Sequence, residues 1–509
     1  MDDNSRWSDD GSGNWTRIQF GSRRAEEIIG TDDDDLLIGR RGDDDLIGGE
    51  GDDGLFGGRG DDDLFGDAGE DLVVGGRGDD LLRGGADDDR LIGGRGDDLL
   101  IGDTGDDFIA GGRGDDISVW NNGDGSDLIS GGGGHDRQQV NLADGGNDVA
   151  TIAEARRGVA FERDAFESGA GAFALDIRTT ETLEVNGNGG DDMIALVGDI
   201  IQAIDLELNG GADTADDAPA VSAADIATGD TLDLGELDTG VLVDLDENNQ
   251  GVLQPADENS DSTAPGLSDF GFLETADGDR VEILDDFENV VGTAYNDTIF
   301  GNIQNNVLLG GDGDDALHPF GGTDFVDGGG GTDILFLQGF GVGQFVDFEA
   351  GVAGNLNETG DGIAEGASIN TFINFENVNG SSVGGDVILG DAGDNGLNGL
   401  GGDDVLVGNA GSDTMSGGDG ADTFVLGDTG NGDVDTIIDF EVGIDVLQLD
   451  DLLQGFDAGT ELEAVVALED NGTDTIVQVG TDESGFTDLA VLTGVTGTSL
   501  ETLIDAPTG

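Results

Sequence analysis

A nine-residue period organises this sequence. Glycine recurs at every ninth residue from Gly30 to Gly111, and the sixth position of each of these ten units is aspartate. The eighth position is Leu, Val or Ile in every unit except the last, which has Ser118. The fourth position is glycine in eight of the ten units, with Asp33 and Asp87 as the exceptions. A fixed period of this length indicates a stack of similar short units rather than an ordinary globular core.

The pattern shifts once and then returns twice. Trp120 and Asn121 move the register by two residues, and weaker units follow around Asp127 and Asp136. Later units start at residues 292, 301, 310, 319 and 328, and again at 381, 390, 399, 408 and 417. Their sixth positions are Asp or Asn, and their eighth positions are apolar. Disorder of a Gly- and Asp-rich chain does not require an apolar residue at every eighth position, so ordered repeats are predicted.

The composition excludes several classes of protein. The 509 residues contain 113 Asp and Glu against 18 basic residues, all of them Arg, for a formal net charge of −95. Such a charge repels nucleic acid and anionic membranes. The absence of cysteine excludes disulfides, thiolate zinc sites and cysteine nucleophiles. No apolar window is long enough to span a bilayer, so neither nucleic-acid binding nor membrane insertion is expected.

The units follow the pattern G-G-x-G-x-D-x-U-x, which resembles the hemolysin-type calcium-binding repeat of RTX proteins. This resemblance implies parallel β-rolls in which six residues of each unit turn, three form a strand, and two units complete one coil. It also implies multiple structural Ca²⁺ ions, each held between the turns of units i and i+2. Glycine permits the turns and lets carbonyl groups approach an ion, and Ca²⁺ takes six to eight oxygen ligands.

The predicted metal ligands are the sixth-position aspartates. Without cations these carboxylates repel one another, so folding is expected to depend on calcium at the concentrations found outside cells. Adaptation to high salt would account for the acidity but not for the period. The predicted ligands are Asp35, Asp44, Asp53, Asp62, Asp71, Asp80, Asp89, Asp98, Asp107, Asp116, Asp127, Asp136, Asp297, Asp315, Asp324, Asp333, Asp386, Asp404, Asp413 and Asp422.

The predicted fold class is all-β, with three parallel β-roll blocks (a calcium-binding β-solenoid), β-rich spacers and a C-terminal β cap. A short helix is expected only over residues 153–166. The predicted segments are an N-terminal lead at 1–29, a first roll at 30–139, a spacer at 140–291, a second roll at 292–336, a spacer at 337–380, a third roll at 381–425, and a cap with a secretion signal at 426–509.

Two further resemblances concern the spacers and the C-terminal segment. Phe287-Glu-Asn-Val and Phe375-Glu-Asn-Val each precede a repeat block and are similar to leader strands that stack onto the start of a roll in RTX proteins. The segments from Ala421, Asp435 and Gly443 resemble the roll cap of proteins exported by a type I secretion apparatus. No basic and then apolar start precedes residue 12, so a cleavable N-terminal signal is not expected. A secreted, extracellular or surface-associated protein is predicted.

Arginine recurs in the first roll at the third position of alternate units. Arg41, Arg59, Arg77, Arg95 and Arg113 should stack on one edge, because two units make one coil. Two interpretations are open: charge balance with the acid two residues further on, or a stripe for an anionic polysaccharide or surface glycan. The ninth position is mostly apolar and should point outwards, for packing within the chain or for self-association.

No catalytic constellation is apparent. His135 and His318 are expected at solvated turns, and no H-E-x-x-H motif exists. Gly380-Ser-Ser-Val-Gly384 matches the lipase pattern, but no histidine follows it to complete a triad. The sequence therefore predicts a protein that is not an enzyme and has a structural or adhesive role at a surface or in a matrix. The alternative is a polysaccharide-active enzyme, similar to an epimerase or lyase, with a site in residues 140–291.

Overall fold

The computed structural model shows a chain built almost wholly of short β-strands. It divides into two compact units, Met1–Asp216 with Ala227–Asp238 and Leu267–Phe287, and Asp217–Ile226 with Thr239–Gly266 and Glu288–Gly509. The residues that the structure describes are 6–7, 17–142, 148–155, 158–164, 173–187, 192–197, 205–209, 231–237, 241–244, 271–275, 280–285, 287–337, 342–356, 362–364, 369–426, 433–449, 465–481 and 485–504.

The first unit contains two sheets, called A and B here, between which the chain alternates. Sheet A consists, in pairing order, of Arg6–Trp7, Arg17–Phe20, Asp35–Ile38, Gly54–Phe56, Leu72–Val74, Arg90–Ile92, Phe108–Arg113, Leu128–Gly133, Phe173–Arg178, Gly158–Asp164, Val149–Ala155, Met193–Val197 and Thr231–Glu236. Sheet B consists of Glu27–Ile29, Asp45–Glu50, Asp63–Ala68, Leu81–Ala86, Leu99–Thr104, Ile117–Asn121, Arg137–Asn141, Thr182–Asn186, Asp205–Asn209, Arg280–Asp285 and Gly271–Thr275.

The second unit repeats this arrangement with sheets C and D. Sheet C consists of Asn289–Val291, Val307–Asp312, Phe325–Gly330, Ile369–Ile373, Val352–Asn355, Gln344–Asp347, Val387–Leu389, Val405–Val407, Thr423–Val425 and Val446–Gln448. Sheet D consists of Val241–Asp244, Thr298–Phe300, Ala316–His318, Ile334–Phe336, Asn377–Asn379, Gly396–Asn398, Thr414–Ser416, Asp435–Ile437, Gly485–Leu492, Thr475–Thr481 and Val466–Asp470.

The repeat strands pair in parallel with the strand two units further along the chain. Leu37 lies opposite Leu55 in sheet A, and Leu46 lies opposite Leu64 in sheet B. These eighth-position side chains point between the sheets and are completely buried. Each contributes about 1.5–3 kcal/mol by leaving water. The core is therefore a row of these buried side chains between the two sheets. The predicted all-β fold with parallel β-rolls is confirmed.

The two-residue shift at Trp120 is absorbed by longer strands. Ile117–Asn121 pairs over five residues with Arg137–Asn141, which turns Trp120 inwards, where it is buried. Its indole Nε1–H donates to the carbonyl of Gly125 at 3.0 Å. Ser118, the polar exception at the eighth position, is also buried and hydrogen-bonds the side chain of Gln138. The interior of this irregular unit is therefore filled by buried side chains, and their polar groups are hydrogen-bonded.

An antiparallel insert interrupts sheet A beyond the first repeat block. In pairing order its strands are Leu128–Gly133, Phe173–Arg178, Gly158–Asp164, Val149–Ala155 and Met193–Val197. The helix expected over residues 153–166 is therefore wrong, because Ala153 lies opposite Ala160 in a hairpin. Sheet partners on both sides of the hairpin outweigh the local helix preference of its alanines and charged residues. The first and last pairings are parallel, so the coil continues past the insert.

The second unit contains an insert with the same topology, and its leader strands lie where the resemblance placed them. The insert runs through Phe325–Gly330, Ile369–Ile373, Val352–Asn355, Gln344–Asp347 and Val387–Leu389. Asn289–Val291 pairs in parallel with the strand from Val307, and Asn377–Asn379 pairs with Gly396–Asn398. Each leader therefore provides a first ladder of hydrogen bonds for the units that follow it.

Antiparallel strands end the second unit. Asp435–Ile437 pairs in parallel with Gly485–Leu492, which continues antiparallel into Thr475–Thr481 and Val466–Asp470. In the part of the chain that the structure describes, the one helix is Leu500–Ile504. No helix there is long and apolar enough to cross a membrane.

Candidate metal centre

The sixth-position aspartates form rows along the edges of the rolls. Each lies at the end of a turn, and the predicted ligands are at most 4% exposed. The backbone N–H of Asp53 donates to Oδ1 of Asp71 at 2.7 Å, and the N–H of Asp71 donates to Oδ1 of Asp89 at 2.8 Å. The same bond joins Asp386 to Asp404 in the third block. One oxygen of each such carboxylate therefore accepts a hydrogen bond from the backbone of the preceding coil and holds that coil in place.

The second oxygen, Oδ2, is buried without a hydrogen-bond partner in most of these aspartates. A buried carboxylate oxygen without a partner is costly unless a cation or a donor reaches it. The residues in this state are Asp44, Asp53, Asp62, Asp71, Asp80, Asp89, Asp98, Asp107, Asp116, Asp136, Asp315, Asp324, Asp333, Asp404, Asp413 and Asp422. All of them belong to the predicted ligand set.

Glycines keep the space around these oxygens open. A Cβ on Gly66 would lie 2.3 Å from Oδ2 of Asp71 and 2.5 Å from the carbonyl oxygen of Gly84. At the fourth position, Gly60 has φ +126°, and a Cβ there would lie 1.9 Å from the carbonyl oxygen of Gly42. Carboxylate and carbonyl oxygens thus line a cradle that any larger residue would fill.

Calcium fits this donor set. In the described part of the chain no group of three or more His, Asp or Glu side chains converges on one point. A complete oxygen shell would therefore draw on backbone carbonyls beside one or two carboxylates. Ca²⁺ accepts such mixed ligands with tolerant geometry, whereas zinc prefers nitrogen and sulfur.

Burial raises the pKa of these carboxyl groups, because it penalises the charged form, and neighbouring aspartates raise it further. The pKa of Asp71 rises to about 7. The pKa of Asp89 rises to about 8, with Asp71 and Asp107 as its charged neighbours. In Asp324, burial alone raises the pKa well above its usual value. The carboxylates are therefore poised to take up either protons or a metal cation.

Among the described residues, seven turns have a different arrangement, and we call them capped turns. In each, a residue near the start of the turn hydrogen-bonds the carboxylate or amide oxygen at its end. The pairs are Ser22 with Glu26, Thr31 with Asp35, Thr293 with Asp297, Asn302 with Asn306, Ser381 with Asp386, Asp391 with Asn395, and Glu441 with Asp445. Six of these turns come in consecutive pairs, over residues 22–35 around the start of the first block and at the start of the second and third blocks, and the seventh follows the third block.

In the capped turns, donors from the same turn hydrogen-bond the oxygens at its end, and Asp35 Oδ1 is the one that stays without a partner among the described atoms. The N–H of Ser381 donates to Oδ2 of Asp386 at 2.7 Å, and its hydroxyl donates to Oδ1 at 3.0 Å. Asn306 replaces the carboxylate by an amide, whose Nδ2–H donates to the carbonyl of Glu288 at 2.8 Å. In these turns, donors from the protein contact the oxygen that the other turns leave buried without a hydrogen-bond partner.

The structure places all twenty predicted ligands at turn ends. Sixteen keep a buried Oδ2 without a partner, three lie in capped turns, and Asp127 belongs to neither group, with its Oδ1 accepting the N–H of Asp107 at 2.9 Å. Asp35, Asp297 and Asp386 lie in capped turns, although Asp35 keeps Oδ1 without a partner. Sequence reasoning missed Asp435 and Asp445, whose Oδ1 atoms accept the N–H groups of Asp413 and Asp422 at 3.1 and 3.0 Å. They follow those residues by 22 and 23 positions, so the broken period concealed them.

His318 lies on a sheet rather than at a solvated turn, so that expectation is wrong. It is the last residue of Ala316–His318, and its ring stacks between Phe300 and Phe336 with centroid distances of 4.2 Å. Burial between these rings lowers its pKa to about 3. His135 is exposed at a turn, as expected.

A protein-family model agrees with this geometry. The family model of the RTX calcium-binding nonapeptide repeat matches residues 20–55, 47–82, 83–117, 123–137, 285–318, 320–337, 382–415, 389–424 and 398–431. No curated protein matches the sequence. Among solved structures, the extracellular lipase LipA from Serratia marcescens matches with 18% identity over 43% of this chain and 40% of the lipase chain, at a TM-score of 0.17. The chain thus covers less than half of that lipase. The repeat blocks of this protein are RTX calcium-binding nonapeptide repeats, and the ions they bind are calcium.

Proposed function

We propose that this is a secreted protein whose rolls fold when they bind Ca²⁺ outside the cell, and that the folded protein has a structural or adhesive role at a surface or in a matrix. The observation that carries the proposal is the row of buried carboxylate oxygens without partners, repeated along both edges of the first roll. Such a row stabilises a fold only when cations satisfy it.

The sheet A strands in the middle of the first roll are too short to hold the coil by themselves. Gly54–Phe56, Leu72–Val74 and Arg90–Ile92 each contain three residues, and isolated strands of this length are marginal in water. Between them lie turns whose buried aspartates disfavour their own charged form. Bound Ca²⁺ would supply positive charge and up to eight oxygen contacts at each turn. Metal binding and folding therefore form one equilibrium.

The proposed calcium ligands are the aspartates with a buried, unpartnered Oδ2, together with carbonyl groups of the same turns. The capped turns are proposed to form without calcium, because Ser381 and its counterparts supply donors from the chain. Each block would then begin on two preformed turns, onto which the calcium-dependent turns add in sequence. Folding that spreads between neighbouring repeats is typical of solenoid proteins.

Export in an unfolded state follows from the same equilibrium. Extracellular calcium modules bind with Kd of about 10⁻⁴ to 10⁻³ M, far above cytosolic calcium. The chain would remain loose inside the cell, pass through a type I secretion apparatus, and fold outside. The polysaccharide-active enzyme with a site in residues 140–291 stays an alternative prediction, because the described residues of that segment do not test it.

Circular dichroism during a calcium titration tests the proposal. The full chain is stripped with EDTA and titrated with CaCl₂, with MgCl₂ and NaCl as controls. We expect a cooperative gain of β signal at about 10⁻⁴ to 10⁻³ M calcium that magnesium does not reproduce. A chain that is already folded in EDTA, or that NaCl alone restores, would overturn metal-driven folding.

A further inference from the structure

A row of arginines follows one edge of the first roll. Its members lie at the third position of every second unit, one coil apart, and all of them are exposed. The structure adds Arg23 to the five found by their spacing, because Glu27–Ile29 pairs in register with the strand from Asp45 and so aligns the preceding turns. We call this set the arginine row: Arg23, Arg41, Arg59, Arg77, Arg95 and Arg113.

The backbone holds the row at a fixed spacing. The N–H of Arg59 donates to the carbonyl of Arg40 at 3.1 Å, and its own carbonyl accepts the N–H of Gly42 at 2.9 Å. The corresponding bonds of the later members of the row have the same geometry, so each turn stacks on the one before. Neighbouring arginines are therefore about 4.8 Å apart along the edge, the spacing between paired strands.

The acids two residues further on are engaged with the backbone. Oδ1 of Asp61 accepts the N–H of Asp79 at 3.0 Å, and Oδ1 of Asp79 accepts the N–H of Asp97 at 2.9 Å. Among the described residues, ion pairs within 4 Å are made by Arg83, Arg137 and Arg178 and not by members of the row. Direct pairing with the acid two residues on therefore does not account for the row.

Calcium changes the formal charge of this edge. Each of its turns from Arg59 to Asp116 contributes one arginine and two aspartates, at the fifth and sixth positions, for a formal charge of −1. One Ca²⁺ per turn would make it +1. On the opposite edge the third position is Glu50, Ala68, Ala86 or Thr104, so the same ion leaves no positive charge there. Calcium binding would therefore give a positive formal charge to the edge with the arginines and not to the opposite edge.

We propose that the arginine row of the calcium-loaded roll binds a linear acidic polysaccharide, in which carboxylate or sulfate groups recur along a single chain. The inference rests on the proposed calcium-dependent folding and names a partner for the adhesive role. A single row of arginines matches a polymer that carries its anionic groups along a single chain. Duplex nucleic acid would bring its second row of phosphates over the aspartates at the fifth position. Guanidinium groups bind such anions through paired N–H donors.

Binding of the calcium-loaded full chain to immobilised heparin and hyaluronate tests the proposal, with dextran as a neutral polymer and duplex DNA as a second polyanion. The first variant changes all six row arginines to Gln. A matched variant, R83Q/R137Q/R178Q, removes positive charge from arginines in ion pairs. An Arg→Lys variant of the row keeps its charge. Circular dichroism at the same calcium concentration checks that each variant is folded.

We expect the wild type and the Arg→Lys variant to bind at least one acidic polysaccharide, with affinity that falls as salt rises. The row Arg→Gln variant should lose about tenfold or more in affinity while its calcium midpoint stays close to that of the wild type. The matched variant should bind like the wild type. Unchanged binding by the row variant, no binding by the wild type, or stronger binding to DNA would overturn the inference. A wild type that does not fold with calcium would instead defeat the proposed function.

Discussion

The backbone N–H of Asp53 donates to Oδ1 of Asp71 at 2.7 Å, while Oδ2 of Asp71 is buried against Gly66 without a partner. One carboxylate therefore joins two successive coils through one oxygen and leaves the other for a cation. The relationship recurs at each sixth-position aspartate from Asp44 to Asp116 and again at Asp136, so that the ladder of turns and the row of proposed metal sites are built from the same side chains.

Replacing Asp71 by Asn separates these two roles. The amide oxygen can still accept the N–H of Asp53, but an Nδ2–H group takes the place of the unpartnered oxygen and cannot bind a cation. We expect a loss of about 1–3 kcal/mol at that site, which raises the calcium midpoint measured by circular dichroism. The control is D61N, since Asp61 uses Oδ1 for the N–H of Asp79 and is exposed. Equal effects of D71N and D61N would contradict the assignment.

Acid should partly replace calcium. The folded pKa values of Asp53, Asp71 and Asp89 are about 8, 7 and 8, above the unfolded value near 3.8. Protonation therefore favours the fold, and its contribution is complete below about pH 4 and is lost as pH rises through 7 to 8. In EDTA, β signal should increase as pH falls through this window. In calcium, binding should release protons and weaken at lower pH. A metal-free spectrum that does not change between pH 8 and 4 would contradict the raised values.

The capped turns predict an uneven calcium count. Asp404→Asn should remove calcium from the third block, because Oδ2 of Asp404 has no partner. Asp386→Asn should leave the count unchanged, because Ser381 already hydrogen-bonds both carboxylate oxygens. Metal analysis of the dialysed proteins distinguishes the two. In addition, Ser381→Ala should destabilise that block by about 0.5–1.5 kcal/mol without loss of calcium. A calcium loss in D386N equal to that in D404N would refute the distinction.

Two glycines that both have a positive φ but differ in their surroundings test the importance of space in the turn. Gly60 has φ +126° and no room for a Cβ, whereas Gly123 has φ +103° and nothing within 4 Å of that position. Gly123→Ala should cost only the conformational term, about 1–2 kcal/mol. Gly60→Ala should cost more, because the carbonyl of Gly42 must also move. Chemical denaturation in saturating calcium measures both, and similar losses would show that space in the turn is unimportant.

The parts of this fold that the sequence predicts are those with a local period. Leu37 and its counterparts are buried because alternation along a short strand turns every eighth residue inwards, and this depends on no distant partner. The sixth-position aspartates are found in the same way. Asp33, one of the two exceptions at the fourth position, belongs to a capped turn. Asp87, the other, has φ +78° and lies in a turn whose Asp89 keeps Oδ2 without a partner, so the exception alone does not identify a capped turn.

The remainder depends on contacts that no local pattern encodes. The strand Gly158–Asp164 exists because partners lie on both sides of it in sheet A, and the local sequence alone favours a helix. The polarity of His318 suggests a turn, yet it is the ninth residue of its unit. Its ring stacks on Phe300 and Phe336, the ninth residues of the units two before and two after it. Asp435 is separated from Asp413 by an irregular count of residues. For that strand and for Asp435, chain spacing carries no information about the spatial neighbour.

The coil of two units per turn also restricts how such a chain can grow. A duplication of two units inserts one complete coil, which keeps arginine above arginine and extends both edges unchanged. A duplication of a single unit keeps every Leu buried but exchanges the edges beyond the insertion, so that Arg59 would lie above Glu50 instead of Arg41. Length and edge identity are thus coupled, and variation in the first roll is expected in whole coils rather than in single repeats.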